Sequence, residues 1–122
     1  MKVAITSLGE TMESPVDQRF GRARYFILYD TESRKWSAHS NSQNLEAAQG
    51  AGIQAGQKVS ELEAQAVITG HCGPKAFATL QAAGIEIYQE AGGTVSEAVE
   101  AFRAGKLAKS DEAGVDSGFG SV

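Results

Sequence analysis

"AVITGHCGPKAFATLQAAGIEIY", residues 66–88, decides the fold. Its opening, Ala66 to Thr69, is a short apolar run of the kind found in strands buried on both faces. Pro74 suits the first turn of a helix, Phe77 and Leu80 fall on one face of it, and Gly84 stands where it should stop. Ile85 to Tyr88, "IEIY", then reads as another strand. A strand, a helix and a strand in such close succession make a crossover between parallel neighbours, which is right-handed in nearly all proteins.

Working outward, "KVAITS" (Lys2–Ser7) is apolar on both faces and reads as a central strand, and "YFILYD" (Tyr25–Asp30) is a second such run. "TESRK" turns the chain into "WSAHS" (Trp36–Ser40), whose Trp36 and Ala38 alternate as in a half-buried edge strand. From Gly50 the apolar period lengthens, with Ala51, Ala55, Val59 and Leu62 on one face of a helix that should end near Ala64. "TVSE", Thr94 to Glu97, is a capping box, followed by the stripe Val95, Ala98, Val99, Phe102 and a stop at Gly105. The order is strand, strand, strand, helix, strand, helix, strand, helix. A three-stranded meander followed by crossovers gives a mixed five-stranded sheet in the order 3-2-1-4-5, with only strand two reversed. This is an α/β fold of three layers, α/β/α, and it resembles the ribonuclease H-like motif.

At 122 residues and 42% hydrophobic, the chain fits one domain, expected over 1–109. From Ser110 the tail "SDEAGVDSGFGSV" lacks periodicity and is expected to be disordered. No apolar run approaches the roughly 20 residues that span a bilayer, so a soluble, cytoplasmic protein without membrane contact is expected. One cysteine forms no internal disulfide, which suits a reducing compartment. A net charge of −4 argues against general binding to nucleic acid, which rests on Lys and Arg contacts with phosphate. Against that balance, Arg19, Arg22 and Arg24 cluster in "RFGRAR".

The strand order brings three unusual loops to one sheet edge: Leu8 to Arg24, the segment after strand three, and "GHCGPK". Open parallel sheets bind ligands beyond the carboxyl ends of their strands, which is that edge. Cys72 just precedes a helix N-terminus, a position that favours a thiolate and offers N–H groups to an anion. A thiolate is a soft ligand for copper(I), zinc or iron-sulfur species, and His71, with His39 across the edge, adds imidazole. One cysteine and two scattered histidines do not make a closed zinc site, so a preformed cluster fits better than a bare ion. The competing reading of Cys72 is a small residue filling a tight turn. Phe20 either anchors its loop in the core or walls the pocket, and Gly21 permits close approach of backbone to ligand. "GAGIQAG", Gly50 to Gly56, is a weak phosphate fingerprint whose glycines equally serve close packing.

Rival activities are weighed on the same residues. A two-metal nuclease needs carboxylates on the first strand, and "KVAITS" has none. A cysteine-dependent enzyme would pair Cys72 with His71, but adjacent residues in a turn rarely point at each other. A phosphate- or nucleotide-binding module would use the arginines and the glycine loop.

Beside these readings, "MKVAI", "RFGRARYFILYD" (19–30), "NLEAAQGAGIQAGQ" (44–57), residues 66–88 and "GGTVSEAVEAFRAGKL" (92–107) together resemble the dinitrogenase iron-molybdenum cofactor biosynthesis family. The resemblance covers nearly the whole chain in order. It implies the same fold and a role in binding, storing or transferring an anionic metal-sulfur cluster, commonly without catalysis. The cluster would be molybdenum-containing, either a molybdenum-copper sulfide or an iron-molybdenum cofactor precursor, held noncovalently. Partners would be cofactor-assembly or delivery proteins, with the chain a monomer or weak dimer. The implied site is Arg19, Phe20, Gly21, Arg22, Gly70, His71, Cys72, Gly73 and Pro74, with Cys72 and His71 as candidate metal ligands.

Overall fold

The computed structural model describes residues 1–41 and 50–111. Its strands are β1 (Lys2–Ser7), β2 (Tyr25–Asp30), β3 (Trp36–Ser40), β4 (Ala66–Ile68) and β5 (Glu86–Tyr88). Its helices are α1 (Ala51–Glu61), α2 (Pro74–Ala82) and α3 (Val95–Arg103). The sheet order is β3-β2-β1-β4-β5. β2 is antiparallel to β1 and β3, whereas β4 is parallel to β1 and β5. This is the mixed five-stranded sheet expected from the crossover, and the ribonuclease H-like arrangement.

Alternation along the strands divides the core into two halves. In β1, Ala4 faces α1 and α2 with Phe26, Val67 and Ile87, while Val3 and Ile5 face α3 with Ile27, Ala66 and Ile68. Ala55, Val59, Phe77 and Leu80 close the first half, and Val95, Ala98 and Val99 close the second. Two-sided burial is why β1 and β4 read as continuous apolar runs. Each large side chain so buried contributes about 1.5–3 kcal/mol.

The helix ends follow their capping chemistry. Thr94 Oγ1 accepts the Glu97 N–H at 3.1 Å and Glu97 Oε1 accepts the Thr94 N–H at 2.9 Å, the capping box anticipated from "TVSE". α2 and α3 stop just before Gly84 and Gly105. α1 stops at Glu61, short of Ala64, because Glu63 takes a left-handed conformation (φ 64°) and the Ala64 N–H turns back to the Val59 carbonyl at 3.3 Å. β4 ends one residue before Thr69, and Ile85 belongs to the turn closing α2, its N–H bound to the Leu80 carbonyl at 3.0 Å. At the far edge, the Ser110 N–H reaches the Ile87 carbonyl at 2.7 Å, so the chain is still tied to the sheet there. Residues 112–122 of the expected tail, and 42–49 of the loop after β3, lie outside the described residues.

Candidate anion-binding cleft

Beyond the ends of β1 and β4 the sheet edge carries buried polar side chains: Thr6, Ser7, Asp17, Asn41 and Thr69. Every buried side-chain oxygen and nitrogen among the described residues has a hydrogen-bond partner. The Thr6 and Thr69 hydroxyls are 2.9 Å apart, and Thr6 Oγ1 also donates to the Asp17 carbonyl at 2.6 Å. Asn41 Nδ2 donates to the Ala23 carbonyl at 2.8 Å. These bonds give the segment following Asp17 a fixed floor.

On that floor the arginine loop runs beside "GHCG". Arg19 and His71 form a parallel bridge, with the Phe20 N–H donating to the His71 carbonyl at 3.0 Å. Gly70 is needed here: a Cβ on it would lie 2.7 Å from the Cα of Gln18. Gly21 is held equally close to α1, where a Cβ would meet the Gly52 backbone at 3.0 Å. On the other side of that helix, Gly52 abuts Ala76 and Gly56 abuts Thr79. The glycines of "GAGIQAG" therefore bring loop, α1 and α2 together, the packing role weighed for them above.

The three elements enclose a cleft of about 470 Å³. Arg19, Gly21, Arg22, His71, Gly73 and Pro74 line it as expected, and Phe20, almost wholly buried, lines it while packing at a tilt against Phe26, with 5.6 Å between ring centres. Phe20 thus both anchors the loop and walls the pocket. Ala51, Gly52, Lys75 and Ala76 line it as well. Ala51, Gly52 and Ala76 were outside the residues expected for the site, although Gly50 and Pro74 both mark helix starts; in sequence Lys75 is a flexible charge near a helix start, able to approach an anion but more simply read as solvated.

Among the described residues the charged side chains that line the cleft have one sign: Arg19, Arg22 and Lys75, with no carboxylate. The N-termini of α1 and α2 also open onto it, and among the described residues neither has a side-chain cap. By contrast, the α3 N-terminus is occupied by its capping box and by the Ser14 and Met12 carbonyls, which accept the Val95 and Ser96 N–H groups. Uncapped N–H groups and the helix dipoles favour an anion. Ala51, Phe20, Pro74 and Ala76 give the cleft apolar walls.

Two of the expected site residues do not line the cleft. Gly70 lies beneath it. Cys72 is fully buried in the core half shared with Phe20, Phe26 and Phe77, and burial pushes its thiol up to about 12. Its backbone N–H is taken by Gln89 Oε1 at 2.8 Å. A thiol so placed stays protonated and out of solvent at neutral pH. His71 remains at the cleft, while His39 lies on β3 with its Nε2 2.8 Å from Ser37 Oγ. Among the described residues no group of three His, Cys, Asp or Glu side chains is placed to hold a metal ion. Gln89 shapes the site without having been singled out, because it acts on a backbone N–H that only the folded chain brings to it; Asp17 accepts one N–H from two residues along and a second, that of Arg24, that the folded loop brings to it.

Fold and site together define a ribonuclease H-like α/β protein with a cleft at the strand ends lined by Arg19, Arg22 and Lys75. The chain belongs to the dinitrogenase iron-molybdenum cofactor family, whose model matches residues 1–105. It is similar to the apo form of the orange protein from Desulfovibrio gigas, with 35% identity over 93% of this chain and 96% of that one and a TM-score of 0.92. It is also similar to a Thermotoga protein (TM1290) carrying the NifB designation and assigned to the DUF35 family, 41% identical over 88% and 91% of the two chains, TM-score 0.78. A Methanocaldococcus jannaschii protein (mj0327) carrying the dinitrogenase designation shares the fold at 18% identity over 92% and 96% of the two chains, TM-score 0.67. No curated protein matches the chain. No described helix is long and apolar enough to cross a membrane.

Proposed function

We propose that the protein binds an anionic metal-sulfur cluster as cargo, for storage or transfer, and does no chemistry on it. The cargo class is a molybdenum-containing sulfide, either a molybdenum-copper sulfide or an iron-molybdenum cofactor precursor, in keeping with the family. The observation that carries this reading is the meeting of two uncapped helix N-termini with Arg19, Arg22 and Lys75 in one partly apolar cleft. Oxyanions and sulfide anions both accept hydrogen bonds from such donors, but apolar walls suit the weakly hydrated sulfide surface better. Binding through N–H donors and charge, with no protein thiolate at the cleft, is noncovalent and reversible, as delivery to cofactor-assembly proteins requires. His71 borders the cargo and is the one imidazole placed to touch it; Cys72 supports the turn from within the core.

A nucleotide reading is weaker because Gly52 and Gly56 are spent on packing against Ala76 and Thr79. A cysteine nucleophile is weaker still, given the burial of Cys72. The test is anaerobic titration of the metal-free protein with tetrathiomolybdate and copper(I), followed by its visible spectrum and gel filtration. A stoichiometric chromophore that co-elutes with the protein supports the reading. Colour that separates from the protein contradicts it, and stabilisation by a nucleotide instead would favour the phosphate module.

A further inference from the structure

Behind the arginine loop, outside the lining of the cleft, lies a buried carboxylate that anion binding by itself would not favour. Asp17 is only 2% exposed, and a carboxylate kept so far from water needs charge-assisted hydrogen bonds. Its Oδ1 accepts the Arg19 N–H at 3.1 Å and its Oδ2 accepts the Arg24 N–H at 3.3 Å. The two oxygens thus hold the two ends of an arc that carries Phe20, Gly21 and Arg22 between them. Asp17 is itself fixed, with its N–H on the Thr6 carbonyl at 2.9 Å and its carbonyl on the Thr6 hydroxyl at 2.6 Å. The Arg19 side chain, 70% exposed, keeps its Nε 4.0 Å from Oδ1, at the limit of an ion pair.

Resting on the anion-binding reading, we propose that Asp17 is the positioning residue of the cleft. Its carboxylate sets the backbone arc that presents Arg19 and Arg22 to the anion, and it does so against its own charge, which repels an anion. The opposed signs make the idea testable. Charge alone says that neutralising Asp17 tightens anion binding; positioning says that it weakens it.

Asp17→Asn keeps nearly the same volume but turns an amide NH2 toward one of the two backbone N–H groups. In this variant, amide hydrogen exchange at Arg19 and Arg24 is expected to accelerate on the order of tenfold or more, with Val3–Ile5 and Ala66–Ile68 unchanged. Tetrathiomolybdate affinity should fall on the order of tenfold, despite the lost negative charge. Unchanged exchange at Arg19 and Arg24, or tighter tetrathiomolybdate binding, overturns the proposal. Should the variant not fold, the wild type decides: slow exchange at Arg19 and Arg24, comparable to the sheet amides, supports the clamp, and free exchange overturns it. Wild-type protein that ignores tetrathiomolybdate sinks the anion reading, while the exchange rates still judge the hold of Asp17 on the loop.

Discussion

Cys72 and His71 are neighbours in the chain and part company in space: the imidazole lines the cleft and the thiol lies in the core. Cys72→Ala should therefore leave cluster uptake intact while costing about 1–2 kcal/mol of stability at neutral pH, the price of one buried heavy atom. The pH dependence has a definite sign. Burial raises the folded-state pKa of Cys72 to about 12, above its unfolded value, so the protonated thiol stabilises the fold below about pH 9 and that contribution is lost as pH rises toward 12. Urea titrations of wild type and Cys72→Ala across that range should converge and then cross, with wild type falling faster. At the cleft itself, Arg19→Ala and Arg22→Ala should each weaken tetrathiomolybdate binding about tenfold or more, since a hydrogen bond to a charged group contributes about 1.5–3 kcal/mol. Isothermal titration at two salt concentrations checks both the loss and its electrostatic origin.

At the scale of elements, helix ends separate stability from binding. The α3 capping box lies away from the cleft, so Thr94→Ala should lower stability by about 1 kcal/mol, read by thermal melting, and leave anion affinity unchanged. Glu63 closes α1 in a conformation that favours glycine, and its ion pair with Lys2, at 3.9 Å and well exposed, contributes little. Glu63→Gly should accordingly raise stability by up to about 1 kcal/mol. "TVSE" was legible because a capping box is local chemistry, and the central strands because burial on both faces demands a continuous apolar run. The left-handed Glu63 was not legible, since nothing in "ELEAQ" marks it. For the same reason Arg19, Gly21, Arg22 and Gly73 could be assigned to one edge from strand order, while the inward turn of Cys72 and the clamp of Asp17 could not. Those depend on which way a side chain leaves a loop, and in sequence Asp17 is only an acidic residue beside a basic run.

Across the whole molecule, an acidic chain presents one basic cleft. The sheet order requires the loops after β1 and β4 to meet, the close contacts at Gly21, Gly52 and Gly70 bring their backbones together, and the first turns of α1 and α2 lie beside them. The net charge is −4, while Arg19, Arg22 and Lys75 make the field at the cleft locally positive, the feature on which the proposed anion binding rests. Among the described residues the fold groups no three metal-ligating side chains, and the proposed cargo is accordingly one that arrives preassembled. The most direct test is metal and acid-labile sulfide analysis, with a visible spectrum, of protein isolated anaerobically from its native source. Molybdenum and sulfide bound in fixed ratio, with a chromophore that recombinant protein reproduces from tetrathiomolybdate and copper(I) and that the Arg19→Ala, Arg22→Ala double variant loses, is the expected result. Protein that is colourless and metal-free, and that takes up neither the thiomolybdate-copper mixture nor an iron-molybdenum cofactor precursor, would contradict the account.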